Sequence, residues 1–453
     1  MPSANLEKEV LDELRRRKIH SLVLQFTDLL GVNKAVELPA TRFERALAGE
    51  IAFDGSALEG FARTEEADAL LVPDLTTFRV FSWGMAPSLS GGEAGGDQVG
   101  RLICDIRYPD GRPFEGCPRT ALKRQIDLAA KAGFAMRVGC EVEFFVFDAV
   151  DDNGFSTHTG DRGSYFDLQP LEHGERVRRA IAKELEDMEL DPESMHHEVA
   201  PGQHEIDLAP ADALTAADRL ATLRTVVRSV ALQHGMIATF MPKPVFARSG
   251  SGLHTHQTLL AKGKNAFDDQ GAPLHLSQVA RWYVGGLLHH ARGYCAVTNP
   301  LVNSYKRLVG GFEAPVNVSW STENVSPLVR IPAERGDGAR CENRLPDPAA
   351  NPYLAIGTQL AAGLAGIREQ IDPGDPVNKN IARMSYRERR KYRIDDLPRD
   401  LHEALDYLEK DRVVRDALGE HIYERYVDAK RGEWEEYIER VSPWEVERYM
   451  GQY

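Results

Sequence analysis

Residues 196–208 read His-His-Glu-Val-Ala-Pro-Gly-Gln-His-Glu-Ile-Asp-Leu, and no other segment constrains the fold as strongly. Pro201 carries a fixed φ and Gly202 tolerates a positive one, so the pair fits the centre of a type II turn. If the flanks pair around that turn, Glu198 lies directly across from Glu205 on one sheet face. Like charges directly opposite each other destabilise a sheet. A chain that builds such a pair is expected to hold a cation there. Two-residue hairpins prefer the primed turns, so the register is the part of this expectation that the backbone must decide.

The rest of the chain gives that hairpin ample support. It has 453 residues, 42% hydrophobic and 27% charged, enough for two domains and a large core. A formal net charge of −14 argues against a nucleic-acid partner. Cys104, Cys117, Cys140, Cys295 and Cys341 are scattered with no CxxC pair, which suits a reducing compartment. The first ten residues alternate charged and apolar types, and no apolar run approaches bilayer length. These features predict a cytoplasmic protein with no membrane partner.

Patterning predicts an opening helix over about 4–17, strands at 21–26, 78–81 and 101–106, and a loop at Gly91–Gly96. The turn-rich stretch Tyr108–Pro113 is the expected boundary between an N-terminal domain (1–108) and a larger C-terminal one (113–453). Beyond it, helices are expected over 119–132, 174–188, 211–234 and 276–294, and mostly helix from 350 onward. Strands and helices mix without strict βαβ alternation, so the fold class is α+β.

Three further segments place ionisable groups on one strand face by the period of two. They are Glu141 with Glu143, then His254 with His256 and Thr258 after a Gly250-Ser251-Gly252 loop, and Arg340 with Glu342 and Arg344. Each alone has an ordinary explanation: a solvated glutamate pair, a hydrogen-bonded core histidine, a surface charge ladder. The Gly-Ser-Gly loop lacks the Lys-Ser/Thr of a P-loop and the third glycine of a dinucleotide fingerprint. Together, five glutamates and one histidine would surround two or three hard divalent cations, Mg²⁺ or Mn²⁺ rather than a cysteine-rich zinc centre. Arginines are natural clamps for the phosphates and carboxylates such cations bridge. No HExxH occurs, which excludes a zincin peptidase.

Phe53–Phe61, Glu141–Phe145, His196–Glu205, Ala238–Pro244, Gly250–His254, Asn303–Leu308 and Pro346–Tyr353 are collinear and span nearly the whole chain. In these stretches the sequence resembles the glutamine synthetase family of the bacterial type I form. The resemblance implies a β-grasp N-terminal domain and a catalytic domain with a curved antiparallel sheet flanked by helices. It also implies a homo-oligomer, a dodecamer of two hexameric rings, with sites between neighbouring subunits. Carried over residue by residue, Glu143, Glu198 and Glu205 would hold the metal nearer the amino acid, and Glu141, His254 and Glu342 the metal that grips ATP. Arg330 and Arg340 match phosphate-binding positions, and Glu193, His256 and Thr258 the nucleotide site. Gly250, Arg307 and Arg344 match glutamate contacts. Asp54 matches the loop carboxylate that takes a proton from ammonium, Tyr165 another wall of that pocket, and Glu313 the flap over the intermediate. The implied reaction is ATP-dependent activation of glutamate as γ-glutamyl phosphate, followed by attack of ammonia or an amine.

Departures from the family pattern cluster where amine and phosphate meet. Asp54-Gly55-Ser56-Ala57 replaces Asp-Gly-Ser-Ser, and Asn324-Val325-Ser326 replaces Asn-Arg-Ser. Ser249 stands for Asn, and Gly310-Gly311-Phe312-Glu313 for Pro-Gly-Tyr-Glu. Lost polar partners favour an alkylated nucleophile, so the expectation is a ligase joining glutamate to a primary amine of the methylamine, ethanolamine or polyamine type. The alternatives are an ordinary ammonia-using glutamine synthetase and a non-catalytic scaffold, the latter disfavoured by the complete carboxylate set. Asn380–Arg383 carries no tyrosine for adenylylation, and Arg63 matches a position linked to feedback inhibition in one subclass.

Overall fold

The computed structural model describes residues 4–55, 58, 68–82, 98–148, 156–168, 173–311, 313–324 and 326–453. Ala57, Arg63, Phe312 and Val325 lie outside them, as does the Gly91–Gly96 loop.

The N-terminal helix α1 (Ala4–Arg16) precedes a five-stranded sheet built from β1 (Ser21–Thr27), β2 (Asn33–Pro39), β3 (Ile51–Phe53), β4 (Ala69–Phe81) and β5 (Val99–Arg107). Among the described residues its order is β2-β1-β5-β4-β3, with β1 and β5 parallel and the other pairs antiparallel. With the short helix α2 (Phe43–Leu47) packed beside it, this is a β-grasp arrangement. Leu22, Leu24, Phe26, Leu71, Leu102 and Ile106 form its core.

The second sheet gathers β6 (Ala135–Asp148), β7 (Pro192–His197), β8 (Gln203–Asp212), β9 (Met236–Thr239), β10 (Leu253–Ala261) and β11 (Lys264–Asn265). Two-residue strands β12 (Asn317–Val318), β13 (Trp320–Ser321) and β14 (Val329–Arg330) follow, then β15 (Cys341–Asn343). β12 pairs outside this sheet; the others run β13-β14-β15-β10-β6-β8-β7, with β9 and β11 on its margins.

Helices cover one face of this sheet. Proline at the first position starts α3 (Pro118–Lys131). α4 spans His173–Asp187, and α5 (Ala213–Gln233) is capped by Asp212, which accepts from Leu214 and Thr215. The pattern over 276–294 predicts one helix; the structure has two, α6 (Gln278–His289) and α7 (Ala291–Thr298). The break is at His290, whose φ of −94° and ψ of 4° leave the helical well and whose Nδ1 meets Asp411 Oδ2 at 2.8 Å. After the short α8 (Ser304–Arg307), α9 (Pro352–Glu369) is buried on nearly every side, as a helix apolar all round must be. A Cβ at Gly366 would sit 2.1 Å from the Trp282 carbonyl, so α6 and α9 touch backbone to backbone there.

A buried guanidinium joins the N-terminal sheet to helices α3 and α5. Arg119 of α3 meets Asp74 of β4 and Asp105 of β5 at 2.8 Å, and Asp218 of α5 at 2.8 Å. Around it, Asn33 donates to the Ala221 carbonyl and Asn351 to the Asp28 carbonyl.

Candidate active site

The face of the second sheet away from the helices is a grid of ionisable side chains, set by strand register. One row runs Arg330, Glu342 and His256 across β14, β15 and β10. The next runs His254, Glu141, Asp207 and Ser194 across β10, β6, β8 and β7. A third runs Glu143, Glu205 and His196.

This register corrects the expected hairpin pairing. Glu198 does not lie opposite Glu205; its N–H donates to the Gln203 carbonyl at 2.9 Å, and His196 faces Glu205 instead. The loop is Val199–Gly202, closed by Gln203 N–H to the Ala200 carbonyl at 2.9 Å, with Gly202 at φ 75°. A turn of this handedness splays flanking strands when it joins them directly, and four residues relieve the mismatch. Like-charge opposition is nonetheless present one strand over: Glu143 faces Glu205, and Glu141 faces Asp207.

At the β15 end the carboxylates are met by nitrogen donors of the protein. Glu342, fully buried, receives Arg330 Nη1 at 2.6 Å and also Arg344 Nη1. Burial raises its pKa, but Arg344, His254 and His256 outweigh that and hold it low. Glu141 meets His254 Nδ1 at 2.8 Å and His256 Nε2 at 2.6 Å. There too the burial penalty is overcome, and the carboxyl stays well below its usual range.

Toward β7 the balance reverses. Glu143 is bonded by the Gln203 amide at 2.7 Å, with His254 Nε2 at 3.9 Å. Burial first and Glu198 second push its pKa up to about 8. Glu205 is raised further, by burial and then by Glu143 and Asp207. His196 Nε2 lies 3.0 Å from Glu198 and 3.7 Å from Glu205. Close, shielded carboxylates short of donors are a set that a hard divalent cation completes, so the residues present fit such an ion.

Two clefts open on this grid. The larger, about 380 Å³, is lined by Glu141, Glu193, Asp207, His256, Thr258, Glu334 and Arg340 among others. The smaller, about 30 Å³, is lined by Glu143, Glu198, Gln203, Ser249, Gly250, His254, Arg307, Glu313 and Arg344. Glu193, His256, Thr258 and Arg340, expected at the nucleotide, thus line one cleft, and Gly250, Arg307 and Arg344, expected at the amino acid, line the other; Arg330 and Tyr165 line neither, and His254, expected on the ATP-side metal, lines the smaller cleft. Arg330 adjoins through Glu342. Thr258 donates its hydroxyl to the Ala339 carbonyl at 2.8 Å, so it supports the cleft wall. Arg340 reaches His256 Nδ1 at 3.1 Å and pairs with Glu334. Half-exposed Tyr165 stands edge-on to His196 at 5.6 Å, its pKa raised to about 12 by burial, Glu198, Glu205 and Glu313. Asp54 follows β3 in the N-terminal sheet and lines neither cleft of its own chain.

Four participants escaped the sequence reading. Gln203 and Asp207 continue the alternation through Glu205, and that period of two could have found them. Glu334 sits in an irregular segment with no periodicity to read. Asp161 has no local signal: it accepts from Gly163 N–H at 2.7 Å and from Gly202 N–H, and meets His197 Nε2 at 2.7 Å. His197 Nδ1 reaches the Glu198 carbonyl at 2.6 Å, so Asp161 anchors the hairpin from a distant loop.

Comparison with known proteins agrees with this geometry. Residues 18–109 match the family model of the glutamine synthetase beta-Grasp domain, and residues 115–449 that of the glutamine synthetase catalytic domain. Glutamine synthetase of Thermus thermophilus is 51% identical over 98% of this chain and 99% of its own length. That of Methanosarcina mazei is 47% identical over 99% of both. Among solved structures, GmaS in complex with ADP superposes with a TM-score of 0.86 at 35% identity, covering 97% of this chain and 99% of that one. Apo GmaS gives 0.84 at the same identity and coverage. With both domains matched and full-length relatives near half identity, the chain belongs to the glutamine synthetase family of ATP-dependent ligases.

Proposed function

We propose that the enzyme uses ATP to convert the γ-carboxylate of glutamate to an acyl phosphate and then joins it to the nitrogen of a small primary amine. The observation that carries the activation step is a pair of clefts, one lined by Glu141 and the other by Glu143, two residues along the same strand. ATP occupies the larger, near Glu193, His256, Thr258 and Arg340. Glutamate binds at the smaller, which must widen from about 30 Å³ to admit it, against Gly250, Arg307 and Arg344. Mg²⁺ or Mn²⁺ at Glu143, Glu198 and Glu205, and at Glu141, His254 and Glu342, would neutralise the crowded phosphate and carboxylate oxygens. Arg330 adds a fixed cation at that junction, and Glu313 closes over the acyl phosphate so that water does not reach it.

Asp54 serves as base toward the amine and comes from a neighbouring subunit, since it lines neither cleft of its own chain. This reading calls for a homo-oligomer, and we assign the ring-based dodecamer of the family. Among the described residues no helix is long and apolar enough to cross a membrane, and we place the enzyme in the cytoplasm.

The amine is inferred from Ala57 and Val325, where the family pattern carries serine and arginine. A site without that hydroxyl and charge has room for carbon beside the nitrogen. Ammonia is the second reading, favoured by the relatives at 51% and 47% identity that are named glutamine synthetase. Glutamate-dependent phosphate release, measured with ammonium, methylamine, ethanolamine and spermidine, separates them. A higher kcat/KM for an amine than for ammonium supports the proposal; ammonium far ahead of every amine refutes it. No release with any of them refutes the ligase mechanism as a whole.

A further inference from the structure

A cavity of about 230 Å³ lies where the N-terminal sheet packs on α3 and α5, and it shares no lining residue with either cleft of the candidate active site. Four arginines line it: Arg79 of β4, Arg101 of β5, Arg119 of α3 and Arg219 of α5. Three carboxylates, Asp74, Glu189 and Asp218, line it too, and each is already engaged. Asp74 and Asp218 meet Arg119 at 2.8 Å, and Glu189 meets Arg79 at 3.4 Å. Arg219 reaches the Ala209 carbonyl at 3.2 Å and Asp191 at 3.7 Å.

Arg101 has no such counterpart. It is 1% exposed and makes no ion pair among the described residues. Its Nη2 donates to the Thr222 hydroxyl at 3.0 Å, and its Cζ stands 6.0 Å from the Phe81 ring. Its Nε is shut off from solvent with no partner among the described residues. Burial lowers its pKa to about 10, against the charge of Asp218, so the group stays ionised at neutral pH. A charge taken out of water is stable only with an opposite charge beside it. A guanidinium with an unused N–H matches the oxygens of a phosphate or a carboxylate, and the cavity has room for either.

We propose that this cavity binds a small oxyanion, a phosphate or the carboxylate of a small metabolite, on Arg101. The anion fastens β5 of the N-terminal sheet to α5 of the catalytic domain. Because no residue is shared with the two clefts, it binds without displacing ATP or glutamate.

Isothermal titration calorimetry of the full chain tests this, with inorganic phosphate in one arm, succinate in the other and ionic strength held by NaCl. Arg101→Met removes a buried, unpaired cation, so its melting temperature without anion should equal or exceed that of the wild type. It is expected to bind the preferred anion at least about tenfold more weakly. Arg219→Gln, at the edge of the cavity, should weaken binding by a smaller factor, and it decides the matter if Arg101→Met does not fold. The arm that binds more tightly assigns the ligand to the phosphates or to the carboxylates. Phosphate held only in the catalytic clefts would be retained by both variants. Unchanged anion affinity in the variants, or no binding to the wild type in either arm, would overturn the site.

Discussion

At the β15 end of the catalytic face, Glu342 and Glu141 are each met by two nitrogen donors of the protein; toward β7, Glu143, Glu205 and Asp207 face one another with an amide, a hydroxyl and one histidine. The first arrangement has its hydrogen bonds supplied by the protein itself. The second has more negative charge than its own donors can serve. An added cation changes little where charge is already matched and a great deal where it is not. The incomplete end is where metal binding couples most strongly to stability and to protonation.

Removing metal should therefore have the largest effect. Chelation is expected to abolish phosphate release and, relative to saturating Mn²⁺ at 100 to 1,000 times its Kd, to lower stability by about 2.7–4 kcal/mol, measured by urea unfolding. The sign with pH follows from Glu143 and Glu205, whose folded pKa values are raised from 4.5 to about 8 and about 11. The folded metal-free protein holds protons there that the unfolded chain has released. Its stability should fall as pH rises from about 4.5 through 8, and saturating metal should flatten that slope. A metal-free stability that rises over this window would break the comparison.

The next effect comes from the compensated end. Arg344→Met leaves buried Glu342 with Arg330 and the more distant His254 and should cost about 3–5 kcal/mol, with or without metal. By contrast, Glu205→Gln at the uncompensated end should stabilise the metal-free protein by about 1 kcal/mol while reducing the gain from Mn²⁺. A loss of stability in that variant without metal would erase the distinction between the ends. Comparable in size is Gly202→Ala, at φ 75° and with a Cβ only 2.8 Å from the Val146 carbonyl. It should cost about 1–2 kcal/mol and weaken Mn²⁺ binding at Glu198 more than ATP binding in the larger cleft.

Much of this face was legible because strand alternation is local. Period two placed Glu141 with Glu143, and His254 with His256, on common sides, and the sheet keeps them there. The hairpin register was not legible, because loop length is decided by strand twist as well as by the Pro-Gly pair. The helix break at His290 depends on Asp411, 121 residues away. Two-residue strands such as β14 have no period to detect, yet Arg330 reaches Glu342 only through β14. Asp161 likewise acts through contacts that close only in three dimensions. Local chemistry was readable, and the partners that long-range pairing delivers were not.

The strand order of the second sheet carries a consequence for synthesis. β6 sits at its centre, but its neighbours β8 and β10 begin at residues 203 and 253, and Glu342 arrives on β15. Distant pairings close slowly, and chains emerge N-terminus first. While β6 waits on the ribosome, Glu141 and Glu143 lie on a strand whose neighbours do not yet exist, and their charges remain hydrated. The Glu342 end of the carboxylate face forms only after residue 344 has been made, when both Arg330 and Arg344 are available to Glu342. The Glu143, Glu198 and Glu205 end can thus close as soon as β8 has been made, well before the cations of the Glu342 end arrive.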